Sequence, residues 1–370
     1  MQTYSVNNNL KFTGSSARAL KGVFMTANWG GIADNLRQIE PKTGLKVFSP
    51  DEIGNISSRT SLPESKALPY IMWAQDLFNI GEKNLHFESY FNPAPKEINK
   101  IADKLQSFFG IKKEFFKYHL QGGNHITTEY NGKREVLIGD YDLKYLTKAE
   151  IAKRFEADNV VEIPQVAAHL DAFMFVDDKK RAFVCDDELM LQGIAKGINN
   201  LRQYIEKNFY NMPESEKFKI FKLDETLRKM LYTFHSIVKH SPYPVADNAI
   251  RALDNAGYET VRIPARIYSF VQTKGQIQHQ YGTDFANAIL HKNQIGDTIL
   301  ITNESANDIC FGIDKEIENK IGFSFKKMFT DSVSPYIKKE NIHFIQGKNY
   351  GVLNLLSNLG GIHCISSEIR

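Results

Sequence analysis

The sequence predicts a mixed α/β fold on three observations. Short apolar runs bounded by Gly, Asn and Pro recur through the first half, stretches with apolar residues at i, i+3 and i+4 lie between them, and strand-and-helix alternation resumes near the end. The interruption in that rhythm is a helical tract from about Glu188 to about Lys239. No sequence repeat or low-complexity tract is visible.

In chain order, KGVFMTANW, NLHFESYF, FFKYHLQGGN and REVLIGDYDL read as strands punctuated by turn residues. GGIADNLRQIE and PKEINKIADKLQSFFG read as helices, the second ending on a Gly suited to a C-cap. From Asn159, FMFV and RAFVC form a pair of strands with the polar DDKK segment as their turn. The helical tract is LMLQGIAKGINNLRQYIEKNFYNM followed by ETLRKMLYTFHSIVKH, joined by NMPESEKFK. After it come AIRALDNAGYETVRIPARIY, DTILITN, ENIHFIQ and LGGIHCISSEI. The simplest organisation is one domain over 1–370 with residues 188–240 as a helical insertion.

Composition narrows the partners. With 46 Lys+Arg against 43 Asp+Glu, the formal charge of +3 gives no strong field for nucleic acid or anionic lipid. No apolar run approaches the ~18 residues a membrane helix needs, and the start lacks the basic and apolar segments of a cleavable signal. A cytoplasmic protein is expected, although an effector exported without a cleavable signal would begin in the same way. The three cysteines, Cys185, Cys310 and Cys364, are too few and too scattered for a disulfide framework or a C-x-x-C metal site, so reduced thiols are expected. Cys185 and Cys310 read as core strand residues.

Four short stretches carry chemistry-bearing side chains. Cys364 follows Gly360-Gly361 and adjoins His363, a setting that lets a turn present a nucleophile. His169 and Asp171 lie two apart, so on an extended segment an imidazole and a carboxylate would share one face. Asp76 follows Trp73 and Gln75 in MWAQDLFNIG, where a buried carboxylate would need a partner or a role. Gln121 precedes the Gly122-Gly123-Asn124 turn. Taken singly, each has an ordinary structural explanation.

Taken in order, Trp-x-Gln-Asp, Gly-Gly-Asn, His-x-Asp and Gly-Gly-Ile-His-Cys resemble the guanidine-modifying enzymes of the pentein fold. That family includes arginine and agmatine deiminases, amidinotransferases, dimethylargininase and protein-arginine deiminases. Trp73-Ala74-Gln75-Asp76, His169-Leu170-Asp171 with Phe173, and Ile362-His363-Cys364 are closest to the protein-arginine deiminases. Phe285-Ala286-Asn287-Ala288-Ile289-Leu290 is similar to a stretch of agmatine and bacterial peptidylarginine deiminases, which adds Asn287. Two features depart from the family. Free-arginine deiminases carry Glu where this chain has Gln121, and the animal enzymes add immunoglobulin-like domains and calcium sites. Here Asp177-Asp178 and Asp186-Asp187 fall in or beside turns and read as solvated charge, so the sequence does not support a calcium requirement.

The resemblance implies ββαβ units around a pseudo-fivefold axis, an α/β propeller. It also implies deimination of a guanidine, with protein or peptide arginine as substrate and citrulline and ammonia as products. Cys364 would be the nucleophile, His169 the general acid and base, and Asp76 and Asp171 the carboxylates that accept from the guanidinium fork. Trp73, Gln75, Gln121, Asn124 and Asn287 would line the substrate. The chemistry requires no metal or other cofactor, and no G-x-G-x-x-G or Walker-type loop is present. The alternatives are a small-molecule (agmatine or arginine) deiminase, an amidinotransferase, and a non-catalytic pentein that binds a partner. A papain-like thiol hydrolase is disfavoured because its nucleophile would precede its His.

Overall fold

The computed structural model describes residues 22–26, 31–49, 74–80, 83–87, 95–115, 118, 120, 122–165, 169–240, 246–273, 276–347, 361–364 and 366–369. The chain starts with β1 (Gly22–Met25), α1 (Ile32–Thr43) and β2 (Val47–Phe48), then α2 (Ala74–Leu77), β3 (Phe78–Ile80), β4 (Asn84–Phe87), α3 (Pro95–Phe109) and β5 (Lys112–Phe115). A hairpin of β6 (His125–Tyr130) and β7 (Lys133–Gly139) leads through α4 (Lys148–Phe155) to β8 (Asn159–Ile163). Next come β9 (Met174–Val176), β10 (Arg181–Cys185), α5 (Asp187–Asn208), α6 (Glu214–His240), α7 (Asp247–Asn255) and β11 (Glu259–Ile263). The hairpin β12 (Arg266–Thr273) and β13 (Gln276–Asp284) precedes β14 (Ile289–Lys292), β15 (Thr298–Asn303), α8 (Ala306–Phe311), α9 (Lys315–Ile321), α10 (Phe325–Val333), β16 (Ile342–Ile345) and β17 (Ser366–Ile369).

One connectivity recurs. β3-β4-β5, β6-β7-β8, β9-β10-β11 and β14-β15-β16 each pair their first two strands antiparallel and their last two parallel, with helix in the crossover. A parallel pair demands such a crossover, whereas an antiparallel pair needs only a turn. The pattern closes on itself at the termini: β17 pairs antiparallel with β1, and β1 runs parallel to β2. A single register pair, Ile369 with Ile80, joins β17 to β3 and merges two units into one six-stranded sheet. The repeat is one of strand pairing and is not visible as a sequence repeat.

Local chemistry explains where the helices start. Thr147 and Glu150 form a reciprocal capping box on α4, and the Asp186 carboxylate accepts from the Glu188 and Leu189 amides at the head of α5. α5 and α6 bury Ile194, Ile198 and Leu201 together with Leu223, Leu227 and Phe234 in the largest apolar cluster. Each such fully buried side chain contributes about 1.5–3 kcal/mol. α5 comes close to α10 and its approach because a Cβ at Gly193 would lie 1.8 Å from Met328 Sδ and one at Gly197 2.6 Å from the Phe323 ring.

Three local expectations are corrected. Leu170–Ala172 forms a 3-10 turn ahead of β9, with only His169 extended, so His169 and Asp171 do not share a strand face. Cys310 is exposed on α8, which Ser305 caps by accepting from the Asp308 amide; that capping signal overrode the strand-like NDICFGI pattern. Asp177 is buried and ion-paired with Arg181, and Asp178 pairs with Lys292, so these acidic side chains tie down the β9–β10 turn instead of facing solvent. Cys185 is buried on β10, where burial pushes its thiol well up.

Candidate active site

Residues distant in sequence meet because the turns that open the units pack on one another. α2 packs against both β17 and the Gly122–Asn124 turn, which in turn packs against Leu170–Ala172. The Gln75 amide N–H donates to the Cys364 carbonyl at 3.4 Å, tying α2 to the turn of residues 362–364.

His169, Asp171 and Cys364 each present a nitrogen, oxygen or sulfur such that these atoms all lie within 4.8 Å of one another. Asp171 is 2% exposed and Cys364 9%, so both side chains are largely withdrawn from water. The Cys364 thiol donates to Asp171 Oδ2 at 3.4 Å, and the same oxygen lies 3.0 Å from His363 Nδ1. Asp171 Oδ1 is buried with no hydrogen-bond partner among the described residues. A buried carboxylate oxygen in that state is suited to a cationic donor arriving from outside.

The space beside that oxygen exists because Gly123 has no side chain. A Cβ there would fall 2.5 Å from His169 Nδ1 and 2.7 Å from Asp171 Oδ1. The Gly-Gly turn is therefore a close approach of backbone to the imidazole and the carboxylate.

His363 Nδ1 lies 3.1 Å from Gln75 Nε2 as well as 3.0 Å from Asp171. A nitrogen facing a carboxylate at that distance carries the proton, since two lone pairs would repel. The Gln75 amide then turns its oxygen to the imidazole, and Gln75 Oε1 is the buried atom without a partner among the described residues in the opposite orientation.

Asn287 holds Cys364 directly. Its Nδ2 donates to Cys364 Sγ at 3.0 Å, and its Oδ1 accepts from the amides of His363 at 2.8 Å and Cys364 at 3.4 Å. Beneath it, Asp284 Oδ1 accepts from the Ala286 and Asn287 amides at 2.9 and 3.2 Å. Burial, and next the Asp171 charge, push the Asp284 carboxyl up to about 7.

As a ligand set, one imidazole, one carboxylate and one thiol do not suit calcium, which takes six to eight oxygens. They do match a nucleophile, a proton carrier and a cation-binding group.

No family model matches the chain, and no curated protein matches it by sequence. Solved structures do. An agmatine deiminase of C. jejuni is 13% identical, with 98% of each chain covered and a TM-score of 0.49. An agmatine deiminase of Enterococcus faecalis is 11% identical, covering 95% of this chain and 93% of that one, at 0.47. A provisionally assigned agmatine deiminase is 11% identical, covering 95% and 94%, with a TM-score of 0.50. The chain shares the fold of that provisionally assigned structure.

Within this fold, the expected residues divide into three groups. His169, Asp171, Cys364, Gln75 and Asn287 converge. Asn124 does not join them: its Nδ2 donates to Asp142 Oδ2 at 2.5 Å and Gln165 Oε1 at 3.4 Å, inside the β6-β7-β8 unit. Its Nδ2 joins the start of that unit to the connections after β7 and β8, while its Oδ1 is buried with no hydrogen-bond partner among the described residues. Trp73 and Gln121 lie outside the described residues, and for Asp76 the description extends to its backbone in α2 but not to its side chain. Sequence reasoning missed Asp284 and Asn303. The first had a faint signal three residues before Asn287, and the second, closing an apolar strand, had none.

Proposed function

We infer that the chain is a guanidine deiminase, a C–N hydrolase acting on a linear amidine through Cys364. The observation that carries this reading is the buried Asp171 carboxylate, with one oxygen unoccupied, 3.4 Å from a thiol and beside an imidazole. A guanidinium offers planar N–H donors and cannot be deprotonated, so it supplies the donor that Asp171 Oδ1 lacks. Its charge also offsets the carboxylate that holds Cys364 as a thiol, and so releases the thiolate.

In the reaction, Cys364 Sγ adds to the guanidinium carbon. One C–N bond breaks, the nitrogen leaves as ammonia with a proton from His169, and an S-alkylthiouronium remains on the sulfur. His169 then takes a proton from water, the water oxygen attacks the same carbon, and C–S cleavage releases the ureido product and the thiolate. Asn287 Nδ2 would stabilise the sulfur anion each time it forms. The five ββαβ units would surround a common axis, bringing the turns that carry Gly123, Asp171 and Cys364 to one channel, with α5 and α6 as an insertion in a single domain. Asp76 would be the second carboxylate.

On substrate, the Trp73-to-Asp76 and Ile362-to-Cys364 motifs favour an arginine within a protein or peptide. The similarity of fold to agmatine deiminases favours a small guanidine instead. Ammonia release from free arginine, agmatine and a peptide with one arginine and blocked ends, with and without calcium, separates the two. Release from the peptide alone supports the first, release from a small guanidine alone supports the second, and release from none refutes deimination.

A further inference from the structure

Three consecutive backbone amides of the nucleophile turn are held by two asparagine side chains from the β14-β15 unit and the segment leading into it. Ile362 N donates to Asn303 Oδ1 at 3.0 Å, while His363 N and Cys364 N donate to Asn287 Oδ1. Asn303 is fully buried at the end of β15. Its Nδ2 donates to the Asp284 carbonyl at 2.7 Å and the Asn287 carbonyl at 3.2 Å.

These contacts fix the orientation of both amides. Two N–H donors face Asn287 Oδ1, so its nitrogen must face Cys364 Sγ. One N–H faces Asn303 Oδ1 and two carbonyls face its nitrogen, so it too has a single satisfied orientation. The fit tolerates no side chain at Gly361, where a Cβ would lie 2.5 Å from Asn287 Oδ1 and 2.6 Å from Asn303 Nδ2. Asn303 thus bonds both to the turn that carries the sulfur and to the backbone of the residue that donates to it.

We propose that Asn303 is a positioning residue for catalysis, setting Asn287 against Cys364 Sγ and thereby the reactivity of the thiol. Asn303 does not touch substrate; it acts through Asn287. Donation to a developing thiolate stabilises the charged form, and a hydrogen bond to a charged group is strong enough to change the thiolate fraction about tenfold or more. Loss of alignment, with the sulfur still buried, favours the thiol.

This inference rests on the reading of Cys364 as the nucleophile, and its test needs no substrate. The full-length chain carrying Cys310→Ser, which removes the exposed thiol, is alkylated with iodoacetamide across pH, and adducts at Cys364 are followed by mass. Asn287→Ala is expected to raise the midpoint of alkylation by about one unit or more. Asn303→Ala should raise it in the same direction with the melting transition retained, and the double variant should lie no higher than Asn287→Ala alone. With whichever guanidine is turned over, kcat falls and KM holds. A wild-type midpoint in folded Asn303→Ala, or shifts that add in the double variant, overturns the proposal. Should Asn303→Ala not fold, Gly361→Ala probes the same clamp from the opposite side: a raised midpoint supports the proposal and a wild-type midpoint overturns it. A chain that releases no ammonia from any guanidine refutes deimination and leaves these alkylation outcomes readable.

Discussion

Replacing Asp171 with Asn should move thiol reactivity and turnover in opposite directions. In the free protein Asp171 Oδ2 is 3.4 Å from Cys364 Sγ and accepts its proton. A carboxylate and a thiolate at that separation repel by about 5 kcal/mol at an effective dielectric of about 20, equivalent to roughly 3.5 pK units. That is a ceiling, because His363 Nδ1 shares the same oxygen at 3.0 Å. Asp171→Asn should therefore lower the midpoint of Cys364 alkylation by about one to three units, making the thiol more reactive at neutral pH. Turnover should fall about 10- to 100-fold in kcat/KM, since a hydrogen bond to a charged group is worth about 1.5–3 kcal/mol. The assay pairs iodoacetamide alkylation of Cys310→Ser and Cys310→Ser/Asp171→Asn, followed by mass, with ammonia release from the accepted guanidine. An unchanged or raised midpoint, or full turnover in Asp171→Asn, would refute the reasoning that this carboxylate restrains the thiol and binds the cation.

His363→Asn keeps an N–H near the position of Nδ1 and should retain most turnover. His363→Ala removes one of the two donors to the buried Asp171 Oδ2, leaving the Cys364 thiol as the other, a loss of about 1–3 kcal/mol that should raise KM about 5- to 100-fold; equal kinetics in the two variants would remove His363 from the account. Gly123→Ala pushes His169 and Asp171 apart from contacts of 2.5 and 2.7 Å and should cut kcat on the order of 100-fold while the chain remains folded, as steady-state kinetics beside a melting curve would show. For Asp284, the unfolded carboxyl titrates near 4 and the folded one at about 7. Between those values the native state holds the proton that the unfolded chain has lost, so stability falls as pH rises through the window. Asp284→Asn should raise the melting temperature above pH 7 and leave it unchanged below pH 4, with a penalty removed on the order of 4 kcal/mol. Parallel melting curves for wild type and variant across pH would contradict it.

The thiol, the imidazole and the carboxylate that meet in the structure were legible because few residue types carry such functional groups. His169, Asp171 and Cys364 stand out in any extended or turn setting. Their scaffolding was less legible. Asn303 closes an apolar strand, and its amide partners are the Asp284 and Asn287 carbonyls, 19 and 16 residues earlier, and the Ile362 amide, 59 residues later. His363 drew notice only as the neighbour of Cys364, although it shares Asp171 Oδ2 with the Cys364 thiol. The Gly-Gly-Asn turn marked Asn124, but not that the Asp142 carboxylate and Gln165 hold its Nδ2. In the fold, periodicity located most strands and the helical tract. It could not show that β17 completes the unit begun by β1, because pairing between chain ends leaves no local signal. The His169-to-Asp171 segment read as strand from its spacing, whereas the chain turns there to feed β9.

The most direct test of the central claim is the mass of the chain quenched in acid during turnover, alongside ammonia release by Cys364→Ala. The account predicts a guanidine-derived adduct on the peptide containing Cys364, and no ammonia above background from Cys364→Ala. Turnover without an adduct at Cys364, together with undiminished ammonia release by Cys364→Ala, would contradict it.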